Sequence, residues 1–161
     1  MYVVLMAMLA LNISTEVLNG FSIVEESLNR TTSNSSKENE SIYSDFLEQM
    51  KTNPEKVKAW FDKATMVKQM SDSLYNYAQS LKEQIVKEAD GDDADLNNIV
   101  GKDNLEAAAH VMLAPGTGQG KKLYDAINSY RERILKMVND DHQRQLIAEN
   151  LSTKIPKKGN A

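Results

Sequence analysis

The first 28 residues change character along their length. From Met1 to Leu11 (MYVVLMAMLAL) there is no charge and almost no polarity. From Asn12 onward the apolar residues thin out to Ile13, Val17, Leu18, Phe21, Val24 and Leu28, at the steps of three and four that mark one face of a helix. Gly20 costs about 1 kcal/mol against Ala without stopping a helix. The pattern predicts one continuous helix over Met1–Leu28, apolar all round at its start and one-sided further on. Such a helix leaves lipid and enters a water-facing bundle. The apolar part, at ~1.5 Å per residue, covers only ~17 Å of a hydrocarbon core of ~30 Å. Three readings therefore compete: the end of a transmembrane span, a signal-peptide core, or a buried core helix. A signal peptide wants a positive region first and a cleavage site after, and neither is present. A core helix leaves unexplained why Val3, Val4, Leu5, Met6, Met8 and Leu9 give no polar face.

Beyond Leu28, Asn29 to Ser41 (NRTTSNSSKENES) is polar and predicts a loop or a frayed helix end. Ile42–Met50 predicts a short helix with Ile42, Phe46 and Met50 on one face. Asn53-Pro54-Glu55 is a strong helix start, with a cap residue, a proline in the first helical position and an acid in the first turn. The helix that follows should run to about Ala89, with a stripe of Val57, Trp60/Phe61, Ala64, Val67, Met70, Leu74, Ala78, Leu81 and Ile85. A stripe this long needs partners along its length, and the first and last helices are the natural ones. Asn104–Leu113 predicts a short Ala-rich helix, and Lys121–Leu151 a second long one. In that last helix Arg131, Arg133 and Lys136 are expected to face solvent. Lys154–Ala161 reads as a linker.

Composition narrows the class. Three prolines, seven glycines and few alternating runs in 161 residues favour an all-α chain. The net charge is −4 with Lys and Glu interspersed, so there is no basic field for nucleic acid. The absence of cysteine excludes disulfides and thiolate metal sites.

Several stretches resemble chemistry without meeting its requirements. Asp90–Asp95 is acidic, but a calcium loop needs acids or amides at fixed places and Glu at the twelfth; starting from Asp90 the fifth place is Ala94, and starting from Asp93 the twelfth is Asn104. Ala114 to Lys122 ends like a phosphate loop, yet Pro115 stands where the first Gly belongs, Lys122 replaces the magnesium-holding Ser/Thr, and a helix precedes it. A flexible helix-to-helix connection explains the glycines. The Asn-x-Ser/Thr triplets at Asn12, Asn29, Asn34 and Asn39 are what a tract rich in these residues produces by chance. His110 and His142 are not brought together by the pattern. No catalytic constellation emerges, so an enzyme is not expected, and neither is a cofactor or metal.

The opening stretch, MYVVLMAMLALNISTEVL, resembles the N-terminal membrane helix of the GldM/PorM family, single-span subunits of the gliding-motility and type IX secretion motor. The match is carried by Tyr2, Val4, Leu5, Ala7, Met8, Leu9, Ala10, Leu11, Asn12, Ser14, Glu16, Val17, Leu18 and Phe21. Of these, Asn12, Ser14 and Glu16 are the most specific. Family members carry a short basic segment just before this point, so the chain is expected to begin partway along the span. The family's later β-rich periplasmic domains are also missing from it. The resemblance implies residues 1–13 as the end of the membrane helix, 14–153 as an elongated periplasmic helical bundle and 154–161 as the linker to further domains.

It also implies a function. Two copies of the helix would pass through a ring of about five copies of a GldL/PorL-type membrane subunit. Proton flow would move the pair, and the periplasmic part would pass that motion to downstream secretion components from the inner membrane. Within the helix, Tyr2, Leu5, Met6 and Leu9 are the expected contacts to the membrane partner. Tyr2 is either next to the proton-carrying group or an interfacial aromatic anchor. Ala7 and Ala10 permit close helix packing in lipid, and Asn12, Ser14 and Glu16 mark the exit from the membrane. The rival reading is a passive membrane-anchored helical stalk or receptor without energy transduction.

Overall fold

The computed structural model of the chain describes residues 15–154. Over these residues the chain is helical, without strands: α1 (Thr15–Thr52), α2 (Pro54–Asp90), a 3₁₀ turn (Gly91–Asp93), α3 (Leu105–Leu113), α4 (Gly120–Met137) and α5 (Asp141–Asn150). No helix among the described residues is long and apolar enough to cross a membrane.

The first helix is longer than its sequence suggests. Asn29–Ser41 is helical, and Ile42–Met50 is the last part of the same 38-residue α1. The polar tract holds no proline or glycine, so nothing in it forces a break. Its hydroxyls, which can compete for backbone groups, bond backward along the helix instead: Thr31 Oγ1 donates to the Ser27 carbonyl and Thr32 Oγ1 to that of Leu28, both at 2.9 Å. Glu16 in the first turn and Lys51 in the last suit the helix dipole.

A single residue, Asn53, joins α1 to α2. Its amide still bonds the Gln49 carbonyl at 2.8 Å, and its own carbonyl accepts the Val57 amide at 3.3 Å. Asn53 thus occupies the cap position without a side-chain cap bond, and Pro54 starts α2 as the sequence predicts. The two long helices form an antiparallel hairpin.

α2 is the hub. It packs against α1, the 3₁₀ turn, α3 and α4; among the described residues the backbone of α1 packs on α2 alone. The core lies where α2, α3 and α4 meet: Leu81 and Val86 of α2, Ala107 of α3 and Ile134 of α4 are buried. At the other end of α2 the stripe divides. Phe61 turns in and Trp60 stays 61 % exposed, with Lys63 Nζ 5.0 Å from its ring centre.

The connections are held by specific groups. The Asp90 carboxylate accepts the amides of Val100 (2.9 Å) and Gly101 (2.6 Å), which folds the acidic loop back on the end of α2. Asn104 Oδ1 caps α3 on the Glu106 and Ala107 amides, each at 3.1 Å. The glycine stretch before α4 is a close crossing rather than slack chain. A Cβ on Gly118 would lie 2.8 Å from the carbonyl oxygens of Ala114 and Met112, and one on Gly120 2.8 Å from that of Met112.

The last helix is not continuous. It breaks at Val138–Asp140, where Asp140 caps α5 on the Gln143 amide at 2.8 Å. Arg144 Nη1 donates to the Leu135 and Val138 carbonyls at the end of α4. α5 folds back along α4: Thr153 Oγ1 bonds Asn128 Oδ1 at 3.0 Å, and Arg131 Nη1 reaches the Leu151 carbonyl at 3.3 Å. Arg131 is therefore a tie between α4 and the end of α5, not part of a solvated face.

Candidate coupling interface

The feature that sets this chain apart is how α1 is attached. Near the hairpin turn, Tyr43, Phe46 and Met50 turn toward α2 and are half-buried, while Ile42 is 50 % exposed. The Tyr43 ring stacks on Phe61 with centres 5.7 Å apart and planes at 26°. Its hydroxyl shares a hydrogen bond of 3.0 Å with Thr65 Oγ1. Sequence reasoning missed Tyr43, although a signal was present. Ile42-Phe46-Met50 repeats in steps of four, which drift around a helix, whereas Tyr43-Phe46-Met50 steps by three and four and stays on one side.

Farther from the turn, α1 and α2 enclose an open groove of about 920 Å³, lined by Thr32, Ser36, Tyr43 and Phe46 on one side and by Val67 and Tyr75 on the other, with Tyr130 of α4 at its edge. Tyr130 is held there by a 2.8 Å bond between its hydroxyl and that of Ser71. Lys68 sits at the groove with its Nζ 2.9 Å from Asp72. Its pKa is raised above the ordinary 10.5, first by the hydrogen bond and charge of Asp72, with smaller contributions from Glu40 and Tyr43 of α1. Glu40 and Tyr43 thus reach Lys68 electrostatically across the groove.

Beyond the groove α1 leaves most of its surface in water. Phe21 is 67 % exposed and Leu28 61 %, and Val17 and Val24 are about half exposed. These four residues are spaced by four, three and four, the seam of a helix that meets another helix.

Of the residues singled out from sequence, Tyr2, Leu5, Met6, Ala7, Leu9, Ala10, Asn12 and Ser14 lie outside the described residues. Glu16 is in the first turn of α1 and exposed. His110 is exposed on α3, with Nδ1 2.8 Å from Glu88 Oε1 of α2, a tie between two helices. Among the described residues no group of three or more His, Cys, Asp or Glu stands close enough to hold a metal ion. Asp90, the first residue of the acidic stretch, spends its carboxylate on its own loop.

An all-helical module hung on one long, mostly exposed helix defines a class: an elongated helical-bundle domain. The family follows from comparison. Residues 16–161 match the family model described as the GldM N-terminal domain, and the chain belongs to the GldM family. That family is a membrane-associated component of gliding motility and type IX secretion, a structural or motor subunit and not a known enzyme family. No curated protein sequence matches the chain.

Proposed function

We propose that this chain is a single-span subunit of a proton-motive-force-driven inner-membrane motor, and that its helical domain carries motion across the periplasm to power type IX secretion and gliding. In this reading residues 1–13 end the membrane span, with Tyr2, Leu5, Met6 and Leu9 facing a GldL/PorL-type subunit present in about five copies. Asn12, Ser14 and Glu16 mark the exit from lipid, and the bundle is passed by its C-terminal linker to downstream periplasmic components.

The observation that carries the proposal is the family match together with an α1 that is helical without interruption from Thr15 to Thr52. A helix without a break transmits displacement where a loop would absorb it. The exposed seam of Val17, Phe21, Val24 and Leu28 supports a homodimer in which two copies of α1 run side by side. The spacing continues back through Ala7 and Ala10 in the sequence, where small side chains would let two helices approach closely in lipid.

Purification from native membranes in mild detergent, followed by mass analysis of the intact complex, tests the proposal. A small multi-span protein in excess over a dimer of this chain is the expected result. A monomer or dimer alone, under conditions that keep complexes together, overturns the motor reading in favour of a passive stalk.

A further inference from the structure

We infer that α1 is a lever that pivots on Tyr43, opening and closing the groove above it, and that this pivot is where motion of α1 enters the bundle. The second half of this statement rests on the transmission role proposed above; the pivot itself rests on the packing alone.

The packing differs on the two sides of Tyr43. Toward the turn, Tyr43, Phe46 and Met50 are half-buried against α2, and Asn53 closes the hairpin within one residue. The Tyr43 ring on Phe61 and its hydroxyl on Thr65 fix this part of α1 in place. Away from the turn, α1 carries no apolar side chain at all between Leu28 and Ile42. Hydroxyl, amide and charged side chains, Lys37 and Glu40 among them, line the groove there opposite Val67 and Tyr75 of α2, so α1 gives up little apolar surface of its own on separating over this stretch, and segments with few buried apolar contacts open locally at low cost. Across it Lys68 feels the charges of Glu40 and Tyr43 of α1, and such an interaction with an exposed lysine holds the groove only weakly.

α1 itself is stiff, because its helix continues through the polar tract with threonine hydroxyls bonded back onto it. A rigid arm clamped near one end and loosely held beyond the clamp rotates as a unit. From Tyr43 back to Thr15 the arm is roughly 42 Å long at ~1.5 Å per residue, so a tilt of about 10° moves its far end by about 7 Å. Among the described residues the backbone of α1 packs on no helix other than α2, and α4 reaches the groove through the Tyr130 side chain, so the tilt works against little beyond α2 itself.

The chain has no cysteine, so introduced pairs carry spin labels without background. Labels at Asn34→Cys and Asn76→Cys report the groove side of the pivot, and labels at Glu48→Cys and Lys56→Cys report the turn side, each measured in the whole chain in mild detergent. The expected result is an upper-pair distance distribution at least twice as wide as the lower one. Equal widths overturn the pivot. In the Tyr43→Ala background the lower pair is expected to broaden toward the upper, and in Tyr43→Phe, which keeps the stack, to stay narrow. A lower pair that stays narrow in both removes Tyr43 as the fulcrum.

Cross-linking the upper cysteine pair in cells with a short bismaleimide then tests coupling, and loss of secretion is the expected outcome. Full secretion with the cross-link in place overturns the coupling role. The label widths do not depend on secretion or on any membrane partner, so a failed motor reading and a failed pivot are told apart.

Discussion

The two ends of α2 hold their neighbours by different means. Its C-terminal half packs α3 and α4 around Leu81, Val86, Ala107 and Ile134, and this is where the chain buries apolar side chains. Its N-terminal half holds α1 through one aromatic clamp and a few polar contacts, and most of α1 remains in water. The first arrangement resists change, because a close-packed core has no continuous range of positions. The second permits it. A domain that must stay folded while one element moves needs both, and this chain places them at opposite ends of one helix.

The largest effect that can break this comparison is a cavity. Leu81→Ala is expected to destabilise the chain by about 2–4 kcal/mol, through lost burial and the void left among α2, α3 and α4. Phe21→Ala, at an exposed site on α1, is expected to change the unfolding free energy of the isolated chain by no more than about 0.5 kcal/mol. Urea unfolding followed by circular dichroism measures both. Similar losses at the two sites would mean that α1 is part of the core after all. If the seam pairs two copies, Phe21→Ala shows itself instead as weaker self-association in sedimentation.

That contrast also explains what was legible in the sequence. The start of α2 was plain, because Asn53-Pro54-Glu55 is a local signal and local chemistry decides it. The all-helical class was plain for the same reason. The polar tract Asn29–Ser41 reads as a loop or a frayed helix end but lies inside α1, since residues that favour caps and turns also accept helix when no proline or glycine interrupts them and their hydroxyls bond backward. The inward position of Tyr43 is legible in the three-and-four spacing of Tyr43, Phe46 and Met50, whereas the ring it meets, Phe61, is a tertiary choice decided by the hairpin. The glycines before α4 suggested slack, whereas their purpose is to let the chain pass within contact of the Met112 and Ala114 carbonyls, which only the fold reveals.

A middle-sized effect sharpens the packed end. The break between α4 and α5 contains no proline or glycine to announce it, and it is the Asp140 side chain that makes it a helix start. Asp140→Ala is expected to cost about 1 kcal/mol, the usual loss for a helix cap, and Asp140→Asn much less, because the amide oxygen still accepts the Gln143 amide. Thermal melts of the two variants check this. Because Thr153 and Arg131 tie the end of α5 to α4, the Ala variant should also raise amide exchange over α5 while leaving α1 unchanged. Faster exchange in α1 as well would mean that the two ends of the molecule are not independent.

The smallest effect is electrostatic, and it reads the loose end directly. Lys68 and Lys121 each bond a carboxylate four residues on in the same helix, Asp72 at 2.9 Å and Asp125 at 2.6 Å, and both have pKa values raised above 10.5. A lysine pKa raised in the folded state gives stability that is fully present below 10.5 and disappears as the pH climbs through the folded value. Both contributions are therefore present through neutral pH and are lost only at the alkaline edge, as the pH climbs through the folded values. They differ in one respect. Lys68 also feels Glu40 and Tyr43 from α1, while Lys121 feels Asp125 and Tyr124 of its own helix. Side-chain NMR titration of Glu40→Gln should lower the Lys68 pKa, by less than Asp72→Asn does, and leave Lys121 where it is. If Glu40→Gln does not move Lys68, then α1 spends little time against α2 at this level. The groove would then be open on average, and the pivot would work from an open resting position.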